Sequence, residues 1–310
     1  MNALTVAEVT AAADRIAGQV RPVPIARRSP ASPVSFALEF TQFTGTFKAR
    51  GAKNFIRAHL EAGTLPGAGV TIASGGNAGL ACAWAARAEG VPATVFLPAT
   101  APAVKVERLR GYGADVRLVG SEYAEAAAAC EEFVASSGAL ASHAYDHPLI
   151  AAGAGTLMVE ILAEVPDLDT VVVAVGGGGL FAGIATVARN HGVRTVAVEP
   201  ENCRALNAAL EAGEVVDVPV DSVAADSLGA RRVTELALRA AQNDFVTSVL
   251  VPDVEIVDAR RRLWSDHRLA VEHAAATALA GIDSPQGYRP GEGEKVCVVL
   301  CGANTHLGDL

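Results

Sequence analysis

Lysine is scarce in this chain of 310 residues: there are four, Lys48, Lys53, Lys105 and Lys295, and arginine supplies the other cations. Lys48 directly follows a Thr-Gly-Thr-Phe turn in "FTGTFKARGA" (43–52). Arginine stays charged, but a lysine removed from water can lose its proton and serve as nucleophile or base. Two glycine loops offer complementary chemistry. "SGGNAG" (74–79) follows a β-like run. Its backbone N–H groups and the helix start behind it suit a small anion, and Asn77 brings both a donor and an acceptor. "GGGGL" (176–180) also lies between an apolar run and a helix, where four successive glycines suit a phosphate group.

Each feature alone has a plainer meaning: a solvated lysine, a tight turn capped by Asn77, a close-packed βα corner. The third loop also has a rival. Gly177, Gly179 and Ala182 match G-x-G-x-x-A, and Glu199 follows about 20 residues on, which is dinucleotide-binding spacing. An NAD(P)-binding oxidoreductase, however, leaves Lys48 and the Asn77 loop without a role. A phosphate cradle, a carboxylate-sized anion loop and a lysine that can be deprotonated are together what a pyridoxal phosphate site needs.

Something must position these loops. Short β-like runs at 69–74, 93–98, 114–120, 170–176, 194–200 and 295–302 alternate with alanine-rich helical stretches at 78–89, 103–112, 123–136 and 180–190. This predicts an α/β fold with mostly parallel, twisted sheets. Continuous apolar runs such as "TVVVAV" predict a sheet covered on both faces. Two open α/β domains are expected, a larger one from 1–69 plus 148–310 and a smaller one, 70–147, inserted in it. The uncharged stretch 170–188 tempts a membrane reading, but five glycines and the switch from β-branched residues to a turn favour strand, turn and helix.

Bulk composition narrows the function. Hydrophobic content is 51% and charged content 19%, which marks a folded globular chain. A net charge of −9 argues against nucleic acid or an anionic membrane as the main partner. The cysteines, Cys82, Cys130, Cys203, Cys297 and Cys301, are odd in number and contain no Cys-x-x-Cys. Reduced, buried thiols in a cytoplasmic protein are expected. The N-terminal stretch has acids early and no signal-type apolar core, and reads as an amphipathic helix. The run 258–268 reads as a solvated helix face.

"TGTFKARGA", "SGGNAG", "GGGGL" and the terminal "CGAN" resemble, in the same order, the four signature segments of fold-type II pyridoxal phosphate enzymes, the tryptophan synthase β-like fold. The resemblance runs from about Val20 to Asn304 and is nearest to the serine/threonine dehydratases (ammonia-lyases) and serine racemases. It implies that Lys48 is the Schiff-base lysine and that Phe47 packs by the cofactor ring. It implies that Asn77 meets the cofactor's phenolic oxygen, and that Ser74, Gly75, Gly76 and Ala78 hold the substrate carboxylate. Gly176, Gly177, Gly178, Gly179 and Leu180 would bind phosphate. Cys301 would face the pyridine nitrogen, and Glu272 matches a family glutamate near the same end.

Departures from the pattern favour elimination of water. Related racemases carry a serine where this chain has Gly75, which offers no second acid/base. The segment "HAYDHPLIAAGAGT" (143–156) resembles the dehydratases' aromatic-Asp-x-Pro. A thiol at 301 is a weak partner for the pyridine nitrogen, which suits prompt loss of a β-hydroxyl. The expected reaction is therefore β-elimination from a small β-hydroxy amino acid, with Lys48 taking the Cα proton, giving a 2-keto acid and ammonia. A racemase or hydroxyaspartate dehydratase of the same fold is the alternative. The resemblance further implies a homodimer and a cation at Glu199, monovalent because Ala205 replaces a ligand aspartate. The chain ends soon after Cys301, so no feedback by isoleucine through an appended regulatory domain is expected.

Overall fold

The computed structural model describes residues 3–306 and 308. Helix α1 (Val6–Ile16) opens the chain, and a reciprocal Thr5–Glu8 capping box satisfies its first turn. It buries Val9, Ala12 and Ile16, the helical spacing expected of an amphipathic segment. Strands β1 (Ile25–Arg27) and β2 (Val34–Ala37) then pair antiparallel, and α2 (Lys48–Glu61) follows. The next run is β3 (Val70–Ala73), α3 (Asn77–Ala88), β4 (Ala93–Leu97), α4 (Ala103–Gly111), β5 (Asp115–Leu118), α5 (Tyr123–Ser137) and β6 (Leu140–Ala141). The chain continues through α6 (Pro148–Glu164), β7 (Thr170–Ala174), α7 (Gly179–Asn190), β8 (Arg194–Pro200) and α8 (Ala205–Ala212). It closes with α9 (Ala225–Leu228), α10 (Glu235–Ala241), β9 (Val246–Val251), α11 (Asp253–His267), α12 (His273–Asp283) and β10 (Val296–Val299).

Among the described residues the strands form two sheets, one ordered β1-β2-β10-β7-β8-β9 and one ordered β5-β4-β3-β6. Every pairing except β1–β2 is parallel. This is the predicted α/β class, and β7 and β10 are buried along their whole length, as their apolar runs require. The last strand returns to the middle of the larger sheet, between β2 and β7. The carboxyl ends of β7 and β10 are therefore neighbours, at the edge where open α/β sheets bind ligands.

Helix α2 is held tightly. A Cβ at Gly51 would meet the Ile150 carbonyl at 2.8 Å, and one at Gly153 would meet the Arg50 carbonyl at 2.7 Å, so α2 and α6 touch backbone to backbone. Arg50 is fully buried, and its guanidinium donates to both Glu39 oxygens (2.7 and 3.0 Å) and both Glu160 oxygens (2.6 and 2.8 Å). The core under the smaller sheet takes in Ala52, Phe55 and Ile56 of α2 as well as its own helices. Helix α2 is thus shared packing for both sheets. The run 258–268 departs from the expected solvated face at Arg260, which is buried and donates to the Val271 carbonyl at 2.9 Å. All five cysteines are free and buried.

Candidate active site

A cavity of about 540 Å³ opens where the carboxyl ends of β3, β7 and β10 face one another. Phe47, Lys48, Ser74, Gly76, Asn77, Ala78, Gly176 to Leu180, Glu272 and Cys301 all border it, so three loops far apart in sequence converge. Gly75 does not border it. A Cβ there would point at Leu97 Cδ2, 2.5 Å away, so this position faces the β4 side rather than the cavity.

Lys48 is the first residue of α2, and its Nζ donates to the Ala144 carbonyl at 3.0 Å. The ammonium lies 4.7 Å from the centre of the Phe47 ring. Burial pushes its pKa down from 10.5 to about 8, against the opposing pull of Cys301 and Glu272. An amine attacks an aldehyde only when neutral. Capture of added pyridoxal phosphate by the ligand-free protein is therefore expected to accelerate as pH rises through about 8 and to level off well below 10.5. A stopped-flow pH series still climbing at 10.5 would contradict this.

The tetraglycine loop ends in the N-terminus of α7, whose N-cap Gly178 has φ +92° and provides no side-chain cap. The first-turn amides thus lack intrahelical partners and carry the positive end of the helix. Glycine is required here by packing. A Cβ at Gly178 would stand 2.4 Å from Ala237 Cβ, and one at Gly177 would stand 2.3 Å from the Tyr145 ring. Helices α2, α3 and α12 also begin at this cavity, and none has a side-chain cap. The N-terminus of α7 and the glycine loop, facing one buried amine, fit a ligand that carries a phosphate and an aldehyde.

Asn77 Nδ2 donates to both oxygens of Glu272, at 3.2 and 3.1 Å. Burial raises the pKa of Glu272 and that of the Cys301 thiol, so Cys301 presents a neutral, weakly hydrogen-bonding group. Glu199 lies outside the lining. Its carboxylate accepts the amides of Leu206 (2.7 Å) and Asn207 (2.8 Å) and so anchors the start of α8. Burial raises its pKa to about 8. A ribose could not reach that carboxylate, which removes the acidic arm of the dinucleotide reading. Among the described residues no three His, Cys, Asp or Glu side chains converge as a metal-ligand set.

Sequence reasoning missed Tyr145 and Ala144, which close one wall, and Arg231 and Arg232, which border the mouth. Tyr145 lies within the aromatic-Asp-x-Pro stretch, so that pattern was its signal. The two arginines follow a loop with no motif at all.

Residues 16–302 match the family model for pyridoxal-phosphate dependent enzymes, and the chain belongs to that family. Within it, the chain is 36% identical over 301 residues to the human protein named serine dehydratase-like, covering 90% of each. It is 38% identical to an L-threonine ammonia-lyase of Geobacter sulfurreducens, over 88% of this chain and 67% of that one. Maize serine racemase superposes with a TM-score of 0.89 at 30% identity, covering 99% of this chain and 95% of that one.

Proposed function

We propose that this chain is a pyridoxal phosphate-dependent serine/threonine dehydratase that eliminates water from a small β-hydroxy amino acid. The observation that carries the reading is the buried, readily deprotonated amine of Lys48, bordering one cavity together with the Asn77 loop and the tetraglycine loop. Pyridoxal phosphate, when bound, supplies the electrophilic carbonyl and the electron sink. The α7 amides and the glycine loop hold phosphate. The α3 start, with Ser74, Gly76 and Ala78, holds the substrate carboxylate. Lys48, once neutral, takes the Cα proton, and Cys301 leaves the pyridine nitrogen without a strong donor or counter-charge. The likeness to serine dehydratase-like protein and threonine ammonia-lyase supports the same reaction class.

Residues 70–147 form, in this proposal, a smaller inserted domain built on the β5-β4-β3-β6 sheet. The homodimer rests on family resemblance, and the cytoplasmic setting on the five free, buried thiols. No described helix is long and apolar enough to cross a membrane. A monovalent cation near Glu199 has to share that carboxylate with two amides.

The test is to load the protein with pyridoxal phosphate and supply L-serine, L-threonine or β-hydroxyaspartate. Keto acid and ammonia in equal amounts are expected. The D-isomer accumulating without keto acid favours the racemase reading, to which the maize neighbour points.

A further inference from the structure

The terminal "CGAN" leaves one residue without a role in the proposed reaction, Asn304. It sits at a junction. Asn304 Nδ2 donates to the Thr44 carbonyl at 2.9 Å and to Asn77 Oδ1 at 2.7 Å. Its own Oδ1 accepts from Arg108 Nη2 at 2.8 Å. Asn77 in turn gives its Nδ2 to Glu272. The chain Arg108, Asn304, Asn77, Glu272 therefore crosses from α4 through the C-terminal segment to the start of α3, and ends at the N-cap of α12.

The direction of this chain is determined at its ends. A guanidinium only donates; a carbonyl and a carboxylate only accept. Arg108 forces Asn304 to turn its oxygen outward, so both Nδ2 hydrogens face Thr44 and Asn77. Asn77 must then offer Oδ1 to Asn304, which turns its Nδ2 to the Glu272 carboxylate, and both residues border the cavity. Flipping either amide sets donor against donor or acceptor against acceptor. Asn304 also contacts the turn ahead of Lys48. Thr44 has φ +63° and Gly45 φ +77°, and a Cβ at Gly45 would meet Asn304 Oδ1 at 3.0 Å. The amide of Ala303 adds a bond to the Gly45 carbonyl at 2.9 Å. One side chain thus joins the lysine turn to the Asn77 loop.

We propose that Asn304 is a positioning residue. It fixes the Asn77 amide with its N–H side toward the cofactor's phenolic oxygen, and Arg108 holds Asn304 in that orientation. This deepens the pyridoxal phosphate reading and rests on it. With Asn304 removed, Glu272 alone holds the Asn77 amide, and the hydrogen bond to a charged phenolic oxygen is lost for part of the time. The cost is about tenfold in cofactor affinity, the low end for a charge-assisted hydrogen bond.

The test uses the full chain with added pyridoxal phosphate and reads the cofactor's dissociation constant and visible absorption and circular dichroism bands. Asn304→Ala and Asn304→Asp are expected to weaken cofactor binding about tenfold and to displace the visible band in the same direction as Asn77→Ala. The Asn77→Ala/Asn304→Ala pair adds nothing further, because both act on one contact. Arg108→Met gives a smaller displacement of the same sign. A folded Asn304→Ala with wild-type bands and affinity overturns the proposal, as do additive effects in the double variant. If Asn304→Ala does not fold, Arg108→Met decides, and an unchanged band there overturns it. Wild-type protein that develops no visible band at all refutes the cofactor reading instead, so the two failures are distinguishable.

Discussion

Lys48→Ala is expected to lower keto-acid formation by at least about 10³-fold, within the span that a general base contributes, while the far-ultraviolet spectrum stays that of the wild type. The side chain is cast in two roles, covalent partner of the cofactor and carrier of the Cα proton, and alanine performs neither. Its removal leaves the packing of α2 intact, because Gly51 and its contact with α6 seat that helix. Lys48→Arg is expected to be as inactive, since a guanidinium remains charged in a setting where burial has already lowered the lysine's pKa to about 8. The measurement is steady-state keto-acid release with saturating cofactor. A variant retaining a tenth of the wild-type rate would move the base elsewhere.

Arg50→Met is expected to cost about 3–5 kcal/mol of stability, the range for removing one partner of a buried ion pair. Arg50 is fully enclosed, and Glu39 beside it is 1% exposed. The guanidinium also reaches Thr156 and the Arg21 carbonyl. Burial alone raises the pKa of Glu39, and Arg50 pulls it back down. Without Arg50 the raised value goes up further. A carboxyl whose folded pKa exceeds its unfolded one loses stability as pH rises between the two. The penalty in Arg50→Met is therefore smallest in acid and grows toward neutral pH. Urea unfolding at pH 5 and pH 8 measures it. Arg50→Met with Glu39→Leu is expected to recover part of the loss, since a matched apolar pair replaces a stranded charge. A change under about 0.5 kcal/mol at pH 8, as for an ordinary surface site, would show that Arg50 does not hold this region.

The sequence disclosed most of the frame because strand and helix periods were clean. The runs at 69–74 and 170–176 became β3 and β7, and the glycine loops behind them lead into α3 and α7. Strands β1, β2, β6 and β9 escaped notice. The first two lie in a segment rich in arginine, serine and proline, and β6 is two residues long, too short for any alternation to show. The cavity's chemistry was legible where one loop supplies several groups, as at 176–180. It was illegible where single side chains meet through the fold. Arg108 and Asn304 are 196 residues apart, and nothing local marks either as the other's partner. Gly75 shows the opposite error. It sits inside a signature segment, yet the turn directs it at Leu97, because loop membership does not say which way an α-carbon faces.

Of five enclosed sulfurs, Cys301 is the one bordering the cleft. A small alkylating reagent entering the cleft meets that sulfur, which reacts slowly because burial keeps the thiol protonated. Labelling at Cys301 therefore reports whether the cleft is filled, whereas labelling at Cys82, Cys203 and Cys297, each at most 1% exposed, reports global opening. The fold thereby carries its own occupancy gauge, and Cys82, Cys203 and Cys297 are shielded from oxidants while the chain stays folded.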